Sequence, residues 1–355
     1  MNHFRRILLV ASICLLPVPS SEARAGQLFK SAAVVDTGLQ PTSIVVDQSS
    51  GSLIVTNFGG DQVQRFPVDD ECQIGPPGAW ATGRGPLDIA FDGSNRLIFI
   101  TYFTDNQLGV FALDGADLKE VGRYPTGRGP VAVSISPSGN QVFVSNVFDG
   151  TVTVFDKING EGFLPRVAVA TVSNPRSMAI DAEGQFLFVA DETDPVIATL
   201  EIEADGSLRS ASRYVMQGPA EDLLAPPSGN LLYVTQGEDN HILTLGVGSL
   251  GQLRQSASTS FEGVEERHDE LGNLGLTAPF PGSLSFDEKL HRLFVTGRQT
   301  SDVYAYDVEN RESFEPLGSY PVYEYPEDVA MDSSSSCLYV ISSAYGQILG
   351  MKVLP

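Results

Sequence analysis

The segment FVSNVFDGTVTVFD (143–156) decides the fold of this chain. It sets a short apolar strand, FVSN (143–146), against a second, TVTVFD (151–156), across a polar turn that carries Asp149 and Gly150. Short strands joined by Gly- and Asx-containing turns, with no helical period, read as antiparallel β-structure. The first strand recurs as IVTN (54–57), FITY (99–102), FVAD (188–191), YVTQ (233–236), FVTG (294–297) and YVIS (339–342). Successive last residues are separated by 45, 44, 45, 45, 61 and 45 residues, which gives seven copies and one insertion.

Each copy has one grammar. A proline stands near its start: Pro41, Pro86, Pro130, Pro175, Pro219 (one residue out of step), Pro281 and Pro326. A short apolar strand follows, such as DIAF (88–91), then a tight turn, the FVSN-like strand, a polar loop and a third strand. A fourth, weaker strand closes the unit, as in RVAVATV (166–172). Four strands per repeat, seven times over, predict an all-β, seven-bladed β-propeller with four-stranded antiparallel blades. A blade has two apolar faces and can bury neither alone, so the blades must pack around an axis. The last copy ends at QILGMKVLP (347–355), after its third strand. The missing fourth strand is expected from QLFKSAAVVD (27–36), so that the N-terminal strand closes the ring in the last blade and removes an open edge.

The Phe/Tyr-Val-Thr-Asn-like strand, with NVFDGTVTVFD (146–156) as its best copy, resembles that of the YVTN and lactonase-like seven-bladed β-propeller family. The resemblance covers nearly the whole chain after its first 25 residues. It implies either a lactonase acting on sugar-acid lactones or a binding propeller, and its shared motif is a packed strand rather than a catalytic one.

The chain opens MNHFRRILLVASICLLPVPSSEARAGQ. Arg5 and Arg6 precede a ten-residue apolar run, and Ala23-Arg24-Ala25 has the small-x-small form of a signal-peptide cleavage site. The expected organisation is a signal peptide over 1–25, a propeller over 26–355 and an insertion at about 261–278 between blades 5 and 6. The apolar run is too short to span a bilayer, so the expectation is a periplasmic or secreted monomer with no membrane insertion after cleavage. A formal net charge of −22, with no basic cluster, argues against nucleic acid and anionic lipid surfaces. After the leader only Cys72 and Cys337 remain. They fall in adjacent blades, which permits a disulfide without requiring one.

The loops leading into the first strands and the loops between the second and third strands share one face of a propeller. TGRGP occurs there twice, at 82–86 and 126–130. Turn chemistry explains its Gly and Pro. Arg84 and Arg128, with Arg176 in blade 4, are either answers to nearby carboxylates or a ligand-binding sector for a carboxylate or phosphate. Asp88, Asp222 and Asp328 hold equivalent positions in blades 2, 5 and 7 and complete the candidate ligand-binding set. These blades are not all neighbours, so a negative funnel is expected rather than a shared metal site.

The second sector lies in blades 5 and 6. Glu221, QGEDNH (236–241) with His241, Arg298, and the insertion with His268 all map to the same face. His241, His268, Glu221 and Arg298 are the candidate catalytic residues. A His beside carboxylates as general base, with an Arg to stabilise an oxyanion, would suit lactone hydrolysis. Acidic side chains and loop carbonyls would equally suit Ca²⁺, and no metal is fixed by the sequence. No G-x-S-x-G elbow, H-E-x-x-H, Walker loop or EF-hand loop occurs. The first expectation is therefore an exported propeller that binds a small molecule or protein on its loop face. The alternative is a lactone hydrolase using the blade 5–6 sector, with the insertion folded over the channel mouth.

Overall fold

A computed structural model describes residues 28–158, 162–261, 265–268, 274–277, 280–310 and 313–355. Seven antiparallel sheets follow one another along the chain as the blades of a ring. Blade 2 is typical, with strands Pro86–Asp92, Leu97–Tyr102, Gln107–Asp114 and Asp117–Pro125 in that order from axis to rim. Among the described residues the helical content is one 3₁₀ turn, Phe58–Gly60, and no helix is long and apolar enough to cross a membrane.

Burial explains why the second strand is the most legible. SLIVTN (52–57), FLFVAD (186–191) and CLYVIS (337–342) are buried at every position, because a neighbouring blade covers each face. The core is accordingly divided into seven clusters, each drawing mainly on two adjacent blades. Each large apolar side chain buried there contributes on the order of 1.5–3 kcal/mol. The fourth strands alternate toward solvent, as in Asp117–Pro125, where Lys119 and Arg123 blunt the exposed edge.

The last blade consists of Pro326–Asp332, Cys337–Ser342 and Gln347–Val353, and Phe29–Asp36 is its outermost strand. Phe29 pairs with Val353 and Asp36 with Gln347, so the expected ring closure is present. Cys72 and Cys337 are joined by a disulfide with Cα atoms 5.6 Å apart. Both are fully buried in the cluster between blades 7 and 1, so the same seam is closed twice.

Two strands depart from the sequence reading. The fourth strand of blade 3, expected at 166–172, is split into Gly162–Pro165 and Val169–Ala170, both paired with Thr151–Ile158. Pro165 has no N–H with which to continue the ladder. The innermost strand of blade 5 is only Asp222–Leu224, because Pro226 and Pro227 follow it. In the insertion, Glu265–His268 pairs with Leu274–Thr277 as a hairpin. Its expected place over the channel and the side chain of His268 lie outside the described residues.

Candidate functional site: an axial cavity

The innermost strands of six blades carry a register shift just after their opening proline, as between Pro86 and Ile89 and between Pro130 and Val133. Such a bulge leaves a backbone N–H without its ladder partner. The Thr or Ser at the third position of the repeated strand supplies one. Thr101 Oγ1 accepts from Asp88 N (3.0 Å) and donates to the Val131 carbonyl of the next blade (3.1 Å). Thr235 accepts from Asp222 N (3.0 Å) and donates to Gly282 (2.7 Å). Ser145 does the same between Ala132 and Arg176. The motif residue is thus a rivet between blades, which is why it repeats.

The bulged position faces the axis, and there Asp88, Asp222 and Asp328 alternate with Ser43, Ser177 and Ser283. Asp88 accepts from Ile89 N and Ser43 Oγ, and from Val133 N of the next blade (2.8 Å). Asp222 accepts from Leu223 N, Ser177 Oγ and Leu284 N (2.9 Å). Asp328 accepts from Val329 N, Ser283 Oγ, Ser43 Oγ and Ile44 N (2.9 Å). Each aspartate therefore fastens its blade to both neighbours. The carboxylates keep some surface toward the channel but lie deep in the protein. Burial, and then the charge of Asp328, pushes Asp88 up to about 7 and Asp222 up to about 6; burial also raises Asp328.

Above this floor opens a cavity of about 450 Å³. Phe103, Phe148, Val131 and Val147 form an apolar wall from blades 2 and 3. Arg176, paired with Glu192 at 2.5 Å, stands on the blade 4 side. Opposite, Arg298 of blade 6 reaches Glu221 of blade 5 (3.1 Å) and Glu327 of blade 7 (3.4 Å). Its side chain is 21% exposed, and its Nε is buried without a hydrogen-bond partner among the described residues. Carboxylates outnumber guanidiniums on this wall. A phosphorylated ligand would meet net repulsion there, whereas hydroxyl and carbonyl groups would find both acceptors and donors.

The structure thus brings Glu221, Arg298, Arg176, Asp88, Asp222 and Asp328 to one cavity. His241 opens the third strand of blade 5, with Nδ1 2.6 Å from the Asp239 carbonyl, and is not among the residues lining it. Arg84 and Arg128 stand outside it as well. Arg84 offers its backbone N–H and Nε to the two carboxylate oxygens of Asp105, both at 2.7 Å, and Arg128 does the same with Asp149. The backbone hydrogen bond leads in holding Asp105 and Asp149 below their ordinary range. Gly85 and Gly129 adopt φ of +65° and +63° and donate to Asp61 and Asn106 of the preceding blade. TGRGP is a turn that latches one blade to the next.

Sequence reading passed over Ser43, Ser177 and Ser283, and also Phe103, Phe148, Glu192 and Glu327. Alignment of the copies carries their signal. The serines share the register of the three aspartates, and Phe58, Phe103 and Phe148 share the first turn after the repeated strand. Among the described residues no group of three or more His, Cys, Asp or Glu is placed to hold a metal, and the floor aspartates already accept from backbone and serine donors.

Fold and site together define a seven-bladed β-propeller with a ligand-sized cavity on its axis. The family model described as "Lactonase, 7-bladed beta-propeller" matches residues 34–225, more than half of the chain, and the chain belongs to that family. No curated protein matches it. Among solved structures it is similar to the hydrazine synthase of Kuenenia stuttgartiensis, with a TM-score of 0.70 and 15% identity over 95% of this chain and 99% of that one. It is also similar to the Cps50 (Swd1) β-propeller domain of Myceliophteria thermophila, with a TM-score of 0.71 and 11% identity over 92% and 100%. A third is a protein described as a proposed 6-phosphogluconolactonase, from Bacteroides uniformis, with a TM-score of 0.67 and 14% identity over 85% and 88%. At these identities the likeness is one of fold.

Proposed function

We propose that this protein is an exported propeller that binds a small, uncharged, polyhydroxylated molecule in the axial cavity. The observation that carries the reading is Arg298, which lines the cavity while its guanidinium is held between Glu221 and Glu327 of two other blades. Together these three side chains offer a ligand's hydroxyl and carbonyl groups both donors and acceptors. The apolar wall of Phe103 and Phe148 offers the opposite face to C–H surfaces. Export is supported by the leader-like residues 1–25 and by the disulfide, a bond that persists in oxidising compartments. Titration calorimetry against neutral sugars and sugar lactones tests the binding: Arg298→Ala should weaken any response of the parent protein by about tenfold or more. N-terminal sequencing of protein expressed with its leader should begin at Gly26, and an intact Met1 would end the export reading.

Family membership favours a second reading, lactone hydrolysis in the same cavity. Glu221 would take a proton from water, whose oxygen adds to the lactone carbonyl. Arg298 would hold the developing oxyanion until the ring C–O bond breaks and the leaving oxygen takes a proton to give the hydroxy acid. Glu221→Gln should then lower turnover by on the order of 10²–10⁴-fold. A lactone panel with no enzyme-dependent hydrolysis, with or without Ca²⁺, removes this reading and leaves the binding one.

A further inference from the structure

A second hollow, of about 480 Å³, lies between blades 7 and 1 and shares Thr42, Leu87 and Glu327 with the axial cavity. Its remaining wall includes Gln40, Phe58, Tyr325 and Ser343. The polar groups of the two hollows are wired together: Ser343 Oγ lies 3.4 Å from Glu327, Glu327 holds Arg298, and Arg298 holds Glu221. The aromatic groups are continuous too. Phe58, Phe103 and Phe148 step from blade 1 to blade 3 with ring centroids 6.4 and 5.6 Å apart. On the blade 7 side, Tyr325 is 57% exposed, and Tyr323 and Tyr345 form an exposed edge-on pair at 6.1 Å.

Tyr325 brings an exposed ring to this rim. It has φ of +54° at the position before the opening proline, where blades 2 and 3 use Gly85 and Gly129 and blades 1 and 6 use Gln40 and Phe280. The left-handed backbone therefore belongs to the turn of the repeat, and what sets this copy apart is the side chain it carries. Tyr325 places an exposed ring at the rim of a hollow that shares three lining residues with the axial cavity.

We propose that the two hollows are subsites of one site, and that its ligand is a neutral oligosaccharide of at least two linked sugars. The axial cavity takes one ring and the blade 7–1 hollow the next. The inference rests on the axial cavity being a ligand site. Sugar rings present apolar C–H faces and a rim of hydroxyls. Aromatic faces interleaved with Gln40, Thr42, Ser343 and Glu327 match both. The excess of carboxylates turns away phosphorylated and acidic chains. A purely apolar occupant would cover Glu327 and Gln40 without bonding them, a costly burial.

The test is titration of the full chain with neutral mono-, di- and trisaccharides of glucose, galactose, mannose and xylose. One series should tighten on the order of tenfold from the single sugar to the disaccharide, the scale of one well-placed aromatic contact. Tyr325→Gly should remove that gain and leave the single-sugar affinity unchanged. The backbone at this position suits glycine, so the melting temperature should hold or rise. A single sugar that binds with no gain from the second overturns the extended site and leaves the axial reading standing. No response from any sugar overturns the oligosaccharide inference outright, and the lactone panel then judges the axial cavity separately. Self-association of the chain abolished by Tyr325→Gly would assign the aromatic rim to a second copy and would also overturn it.

Discussion

Blades 2 and 3 and the sector running from blade 5 through blade 7 to blade 1 use the same residue types on the same face, yet to different ends. In the first region the arginines of the turns are answered inside the repeat: Arg84 closes on Asp105 and Arg128 on Asp149, each with backbone and side chain together. In the second region Arg298 joins three blades and lines a cavity. The paired arginines recur at the repeat period and serve the turn, whereas Arg298 has no counterpart at that spacing. The seam between blades 7 and 1 adds a closing strand, a disulfide and the exposed ring of Tyr325 to this irregular side.

The largest expected effect lies at that seam. Deleting residues 26–37 removes the outermost strand of blade 7 and should abolish cooperative thermal unfolding or leave the protein aggregated. An unchanged melting temperature would show that the ring does not need its closing strand. Cys72→Ala together with Cys337→Ala should cost about 2–5 kcal/mol in denaturant unfolding, the usual range for removing a native disulfide. Thiol titration of unreduced protein should find none free; two free thiols would break the account of the seam.

A smaller effect concerns the axis. Asp88 and Asp222 have folded pKa values of about 7 and about 6 against an ordinary 3.8. The folded state therefore holds these protons over a window where the unfolded state releases them. Their stabilisation is complete below pH 3.8 and is lost as pH rises through 6 to 7. Asp105 and Asp149, shifted down, act oppositely, and their contribution is lost as pH falls below that ordinary value. From these two groups the melting temperature should decline between about pH 4 and about pH 7 and level off above, and Asp88→Asn should flatten the decline. An unaltered slope in the variant would mean that Asp88 does not carry it. Least of all should follow from Arg84→Ala and Arg128→Ala, each within about 1 kcal/mol, since both arginines are largely exposed.

The period of the repeat made the fold readable, together with the N-terminal strand needed to finish the last blade. Details that depend on single residues within one copy were harder to see, such as the split at Pro165 and the short strand before Pro226 and Pro227. At the site, sequence placed Glu221, Arg298 and the three aspartates on one face but could not say what each would bond. The repeat aligns Asp88 with Ser43, whereas their hydrogen bond forms between blades and depends on how the ring closes. His241 shows the same limit from the other side: its loop was placed on the right face, but its imidazole contacts Asp239 rather than lining the cavity.

If the axial cavity built around Arg298, and not the TGRGP turns, is where this protein meets its ligand, the two arginines separate in one experiment. The direct measurement is calorimetric titration of the most responsive neutral sugar or lactone into the parent protein, Arg298→Ala and Arg128→Ala under one set of conditions. The account predicts a loss of about tenfold or more for Arg298→Ala and a change within about twofold for Arg128→Ala. Affinity that survives in Arg298→Ala and collapses in Arg128→Ala would contradict it.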